Sequence, residues 1–202
     1  MSQEKDYQEL FSACKTGNKE VVEFLISQGI NLNVKDKYDQ NALHFASRNG
    51  HKEIVELLIE NGIDINEKDN YDQNALHSAC YTRLMNCNNE IVQLLINKGI
   101  DLNVKDKNGW NGLHIASLRG HKEIVELLIE NGIDLNEKDD YDENALHLAS
   151  SAGHKEIVEL LINKEIDINQ KDKNGRSALD LATENGHQQI VNLLIEKGIK
   201  SK

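Results

Sequence analysis

What this 202-residue chain lacks narrows its function before anything present is considered. Proline is absent altogether, so no helix here begins on a φ angle preset by a pyrrolidine ring. Aromatic residues make up only 4% of the sequence, so Leu, Ile, Val and Ala must fill the interior. No apolar stretch approaches the roughly 20 residues that a membrane-spanning helix needs. Three cysteines, an odd number with no Cys-x-x-Cys pair, suit a reducing compartment. A basic stripe is missing too. The net charge is −11, and no cluster of Lys and Arg stands free of nearby acids. That argues against nucleic acid, whose phosphates demand such a stripe, and against anionic membrane surfaces. Met1 to Leu10 is polar and acidic, unlike a secretory signal, so a cytoplasmic location is expected, in the protein's own cell or a host's. No glycine-rich phosphate loop occurs, and no serine stands isolated in a pattern that suggests a nucleophile.

What is present is repetition. Asn41-Ala42-Leu43-His44 recurs as Asn74-Ala75-Leu76-His77, Asn111-Gly112-Leu113-His114, Asn144-Ala145-Leu146-His147 and Ser177-Ala178-Leu179-Asp180. The steps are 33, 37, 33 and 33 residues, and a further 33 backwards lands on a worn copy, Gln8-Glu9-Leu10-Phe11. The fifteen residues from Gly50 to Asp64 reappear letter for letter from Gly120 to Asp134, which points to duplication.

One unit has a physical reading. Asp36 to Asn41 is polar and turn-prone. Ala42 to Asn49 is a short helical pattern that Gly50 breaks. His51 to Asn61 is a second helix with a wide apolar face of Ile54, Val55, Leu57, Leu58 and Ile59. Gly62 ends it, because the position after a helix favours a left-handed backbone. Two helices this short cannot bury both apolar faces alone, so neighbours must stack. Asn41, Asn74, Asn111, Asn144 and Ser177 are placed to cap the first helices, and Asn18, His51, Asn88, His121, His154 and His187 to cap the second.

These motifs resemble the ankyrin repeat, whose unit carries a Thr-Pro-Leu-His tetrapeptide, a Gly-His turn and a Gly-Ala-Asp-Val-Asn-like close. Here those read as Asn-Ala-Leu-His, Gly50-His51 and Gly62-Ile63-Asp64-Ile65-Asn66. The resemblance covers nearly the whole chain. It implies an all-α solenoid of six helix-turn-helix units with short β-hairpin fingers, the fingers and first helices lining a groove. The repeats run approximately over 4–36 as an N-terminal cap, 37–69, 70–106 with a four-residue insertion, 107–139, 140–172, and 173–202 as a C-terminal cap. Departures are visible. Ala or Gly replaces the proline, Asp39, Asp72 and Asp142 replace the finger glycine, and Glu165 replaces a helix-ending glycine, at an expected cost of about 1 kcal/mol. The insertion lies between Cys80 and Asn88; Leu84 and Met85 are candidate binding residues there, and Cys87 a candidate exposed thiol.

The repeat register disposes of the chemical alternatives. His44, His77, His114 and His147 share one position, and His51, His121, His154 and His187 another. All eight histidines therefore read as structural, and no metal, cofactor or catalytic residue is expected. Cys14 and Cys80 share a small packing slot with Ser47, Ser117, Ser150 and Thr183. The recurring Lys-Asp pair at 35–36 reads as a finger-base motif and a possible charge ladder. Asn66, Asn103, Asn136 and Asn169 have the spacing of ankyrin asparagines that are hydroxylated in some animals, although a hairpin asparagine satisfying backbone groups is the favoured reading.

The resemblance implies partner contacts at finger tips and at the exposed turn of each first helix. By register these are Lys37, Tyr38, Gln40 and Arg48, then Asn70, Tyr71, Gln73 and Tyr81. Next come Lys107, Asn108, Trp110, Leu118 and Arg119, then Tyr141 and Glu143, then Arg176. Trp, Tyr and Arg dominate binding hot spots, which singles out Trp110 and the finger tyrosines. The expected function is a monomeric, non-catalytic scaffold binding a protein or peptide. The alternative is an architectural spacer with no dedicated partner, which the near-identical repeats make credible.

Overall fold

The computed structural model describes residues 3–82 and 88–198. Twelve helices lie among them: α1 (Gln3–Thr16), α2 (Lys19–Ser27), α3 (Ala42–Arg48), α4 (Lys52–Glu60), α5 (Ala75–Cys80), α6 (Asn88–Asn97), α7 (Gly112–Arg119), α8 (Lys122–Glu130), α9 (Ala145–Ala152), α10 (Lys155–Asn163), α11 (Ala178–Glu184) and α12 (Gln188–Glu196). The chain divides into two compact units, residues 1–104 and 105–202. In the first unit α1, α3 and α5 pack side by side as an inner layer, and α2, α4 and α6 as an outer one. In the second, α7, α9 and α11 form the inner layer and α8, α10 and α12 the outer.

The apolar stripe read from the sequence forms the core. Ile54, Val55 and Leu58 of α4 are fully buried, as are Ile124, Val125 and Leu128 of α8. Each such side chain contributes roughly 1.5–3 kcal/mol by leaving water. On the first helices, every residue from Ala42 to Ser47 is buried, so only the ends of these short helices reach solvent. Cys14 and Cys80 lie in the same packed layer. Burial pushes both thiols up to about 12, which leaves them protonated and inert at neutral pH.

The first-helix caps form as expected. The Asn41 side chain accepts from the N–H groups of Leu43 and His44 at 3.1 and 3.2 Å, and Asn74, Asn111, Asn144 and Ser177 act alike. The second-helix histidines do not cap. His51, His121, His154 and His187 make no capping bond to their own helix. Three of them point back one repeat instead. Nε2 of His51 meets the Lys15 carbonyl at 3.2 Å, and Nε2 of His154 and His187 meets Leu118 and Ser151 carbonyls at 3.0 Å. A carbonyl can only accept, so Nε2 carries the proton in each. The glycine that ends the preceding first helix makes room for the ring. A Cβ on Gly120 or Gly153 would come within 2.6 Å of the imidazole of His154 or His187, and both glycines hold a left-handed φ. Asn88 does the same work from inside α6, donating from Nδ2 to the carbonyls of Ser47 and Ala79.

The fingers are tight turns, not the β-hairpins expected; no strand occurs among the described residues. Their length explains it. The Asp36 N–H donates to the Gln40 carbonyl at 2.9 Å, and the Asp36 carboxylate takes the N–H groups of Tyr38 and Gln40. With the side chain supplying two of the bonds, no ladder remains to be formed. Asp39, Asp72 and Asp142 sit at φ of 59°, 62° and 59°, so the aspartates do replace the finger glycine in a left-handed turn. Glu165 is likewise forced to φ 65°. The first repeat has no finger; α1 runs on to 14 residues in its place.

Candidate functional site

Two fingers in the first unit and three in the second carry candidate contact residues. Each rests on an aspartate that is committed inward. Oδ1 of Asp69, Asp106, Asp139 and Asp172 accepts the N–H groups two and four residues on, as Asp36 does. Neighbouring fingers are tied by single backbone bonds: Asn70 N–H to the Tyr38 carbonyl, Asp140 N–H to Asn108, and Lys173 N–H to Tyr141. Finger bases are clamped by lysines. Lys35 reaches Glu67 at 2.7 Å and Lys105 reaches Glu137 at 2.6 Å, each also donating to a neighbouring carbonyl. Those lysines hold both glutamates below the usual carboxylate range. The ladder therefore runs from lysine to the next repeat's glutamate, and the aspartate of the Lys-Asp pair serves its own finger.

The expected contact residues separate into two groups. Lys37, Tyr38, Tyr71, Lys107, Asn108 and Tyr141 stand exposed on the fingers, and Arg48 and Arg119 at first-helix ends. Tyr81, Leu118 and Asn70 are half-buried. The residue four places after each finger aspartate turns inward. Gln40 and Gln73 are buried, and Nε2 of Gln40 donates to Asp69 Oδ2 at 3.2 Å. The Trp110 indole N–H donates to Asp139 Oδ2 at 2.8 Å, with the ring half-buried. Arg176 bonds Asp172 at 2.8 Å and Glu184 at 3.3 Å, and lies 3.8 Å from Glu143. Burial and Asp139 raise the Glu143 pKa, with Arg176 opposing them. The residues picked as hot spots at this register thus join finger to finger. Lys15, 33 residues before Arg48 and in the same register, is also exposed at the end of α1.

The remaining candidates are absorbed by the frame. His44 accepts the Asn41 N–H at Nδ1 and donates from Nε2 to the Gln73 carbonyl at 3.0 Å. Burial lowers the pKa of His44, His114 and His147, keeping these rings neutral. Among the described residues no three His, Cys, Asp or Glu side chains gather as a metal site would require. Two of the four candidate asparagines have backbone partners for their side chains: Asn66 Oδ1 takes the Asp101 N–H at 2.8 Å and Asn136 Oδ1 the Asp167 N–H at 2.9 Å. Leu84, Met85 and Cys87 lie outside the described residues.

A family model for ankyrin repeats matches three times, over residues 3–69, 67–139 and 135–202. This chain belongs to the ankyrin repeat family. No curated protein sequence matches it. Among solved structures it is similar to the crystal structure of the human ASB11 ankyrin repeat domain. The TM-score is 0.85 and the identity 23%, over 96% of this chain and 85% of that one. That likeness shows the fold, an ankyrin-type solenoid, and ankyrin repeats are generally protein–protein interaction modules. No helix among the described residues is long and apolar enough to cross a membrane.

Proposed function

We propose that this chain is a non-catalytic, monomeric scaffold that binds a protein or peptide through its finger tips and the exposed ends of its first helices. One observation carries the reading. Tyr38, Tyr71 and Tyr141 are 46, 55 and 61% exposed on fingers whose backbones are held by their basal aspartates. A tyrosine held by a rigid turn offers a large amphipathic contact at little cost in conformational entropy. The reading is supported by the engagement of the described histidines and the buried cysteines in packing. The acidic balance supports a protein surface over phosphates, and the odd cysteine count supports a reducing, cytoplasmic setting.

The test is quantitative affinity capture from the protein's own source, comparing wild type with the Tyr38→Ser, Tyr71→Ser, Tyr141→Ser triple variant. Loss of one or more stoichiometric companions in the variant is the expected result. Equal recovery of the same companions would remove the fingers as the site. Native mass spectrometry showing no companion at all would favour an architectural spacer.

A further inference from the structure

Charge differs between the layers in the central helix pairs, whereas the first and last inner helices carry acids of their own, Glu4, Asp6 and Glu9 in α1 and Asp180 and Glu184 in α11. The outer helices α4 and α8 carry Glu53, Glu56 and Glu60, and Glu123, Glu126 and Glu130. The inner helices α3, α5, α7 and α9 contain no Asp or Glu at all. In the first unit the inner layer instead ends on cations, Lys15 in α1 and Arg48 in α3, with Lys37 on the adjoining finger. A cation in the last turn offsets the carbonyl ends of a helix. The fold does not require it, since α5, α9 and α11 end on Cys80, Ala152 and Glu184.

The cations of this unit also differ in what they do. Lys19, Lys35 and Lys52 each meet a carboxylate, Glu23, Glu67 and Glu90 respectively, at 3.3, 2.7 and 2.9 Å. Lys15, Lys37 and Arg48 are exposed and have no ion pair among the described residues. Two of them lie on rings, Lys15 at 4.0 Å from the Phe45 centroid and Lys37 at 4.8 Å from that of Tyr38. Such stacking positions a side chain while leaving its ammonium free for an outside acceptor. The acids on the same side are few. Asp36 and Asp69 are bound to finger N–H groups, Asp39 and Asp72 stand at the turn apices, and Glu9 sits about 9 Å along α1 from Lys15. Outer-layer glutamates lie across a helix diameter of about 10 Å, beyond the roughly 8 Å over which charge acts at physiological salt.

We propose that this face of the first unit receives a carboxylate-rich peptide segment of a partner protein, whose acids meet Lys15, Lys37 and Arg48 while one apolar or aromatic side chain seats against Tyr38 and Tyr71. The inference rests on the protein-binding reading above and adds the chemistry of the partner. The two tyrosines belong to fingers joined through the Asn70 N–H and the Tyr38 carbonyl, so their spacing is fixed before binding.

The test titrates the full ¹⁵N-labelled chain with three ten-residue peptides that share a central Phe flanked by Glu, Gln or Lys. The Glu peptide is expected to shift the amides of Tyr38, Arg48 and Tyr71 and to weaken as salt rises. Lys15→Glu with Arg48→Glu should reduce its affinity at least tenfold, and Arg48→Lys should retain most of it. Both sites are exposed, and unchanged spectra of the free variants verify folding. Equal binding of the Gln or Lys peptide, equal binding of a single-stranded oligonucleotide, or no binding of any probe would overturn the proposal. Binding of the Gln or Lys peptide at the fingers would do so while leaving the broader reading intact. Failure of that reading has another signature, captured companions indifferent to the finger tyrosines.

Discussion

The two units build the same finger and fill it differently. In both, an aspartate accepts two N–H groups and a left-handed residue closes the turn. The side chain four places on then decides the character of the row. In the first unit it is glutamine, and the buried link from Gln40 to Asp69 joins a neutral amide to one carboxylate. In the second it is Trp110, Glu143 and Arg176, and the links run through an indole and a guanidinium shared among Asp172, Glu184 and Glu143. One register position therefore converts a neutral finger row into a charged one without altering the backbone. It ties the second unit's Arg176 down, whereas the first unit has no cation at this position.

Several substitutions would break or sharpen this comparison. The largest effect belongs to the frame the units share. Leu58→Ala and Leu128→Ala remove fully buried side chains from identical sequence blocks, and each should cost about 2–5 kcal/mol in urea unfolding. A marked inequality between them would show that the units differ in how far they can collapse. Acidification comes next, because it acts on several imidazoles at once. Burial lowers the folded pKa of His44 in the first unit and of His114 and His147 in the second. Their contribution is thus fully present above the ordinary histidine range and declines as pH falls through it. Glu143 has the opposite sign, since burial raises its pKa and protonation favours the folded form. The urea midpoint should fall between pH 7 and 5, and Glu143→Gln should steepen the fall. Flat midpoints would show the imidazoles to be better hydrated than their burial implies.

The finger links themselves come third. Both links end on a carboxylate, but that of Trp110 is the shorter, 2.8 against 3.2 Å, so Trp110→Phe should lose about 1.5–3 kcal/mol and Gln40→Met less, by differential scanning calorimetry. Equal losses would mean that the two rows are not energetically distinct. Smallest is a gain: Glu165→Gly should stabilise by roughly 1 kcal/mol, because only its φ of 65° opposes a side chain there. No gain would mean that the Glu165 side chain contributes as much as the turn strain removes.

Register made most of the frame legible in the sequence. Periodicity placed Ile54, Val55 and Leu58 in the core, and fixed spacing exposed the histidines as structural before any geometry was known. It could not say where the imidazoles point. His51 occupies a capping position by sequence, yet its ring reaches the Lys15 carbonyl because the glycine of the preceding repeat leaves space there. That space is a property of two repeats together and is invisible in either alone. The surroundings of Trp110 were illegible for a similar reason. Trp110 reads as an exposed hot spot on a polar finger until the next finger supplies Asp139 as its acceptor. Tyr38, Tyr71 and Tyr141 have no such partner in register, and their exposure follows from that.

The fit between Gly120 and the His154 ring, and between Gly153 and His187, has a consequence for how such a protein can be lengthened or rebuilt. The fifth repeat brings a notch, Gly153, for its successor and a peg, His154, for its predecessor. An inserted copy that carries both joins either neighbour without redesign, whereas one cut between them leaves a ring with nowhere to lie. Workable splice points therefore fall where glycine and histidine stay paired across the seam, and the number of repeats can grow while every joint remains the same.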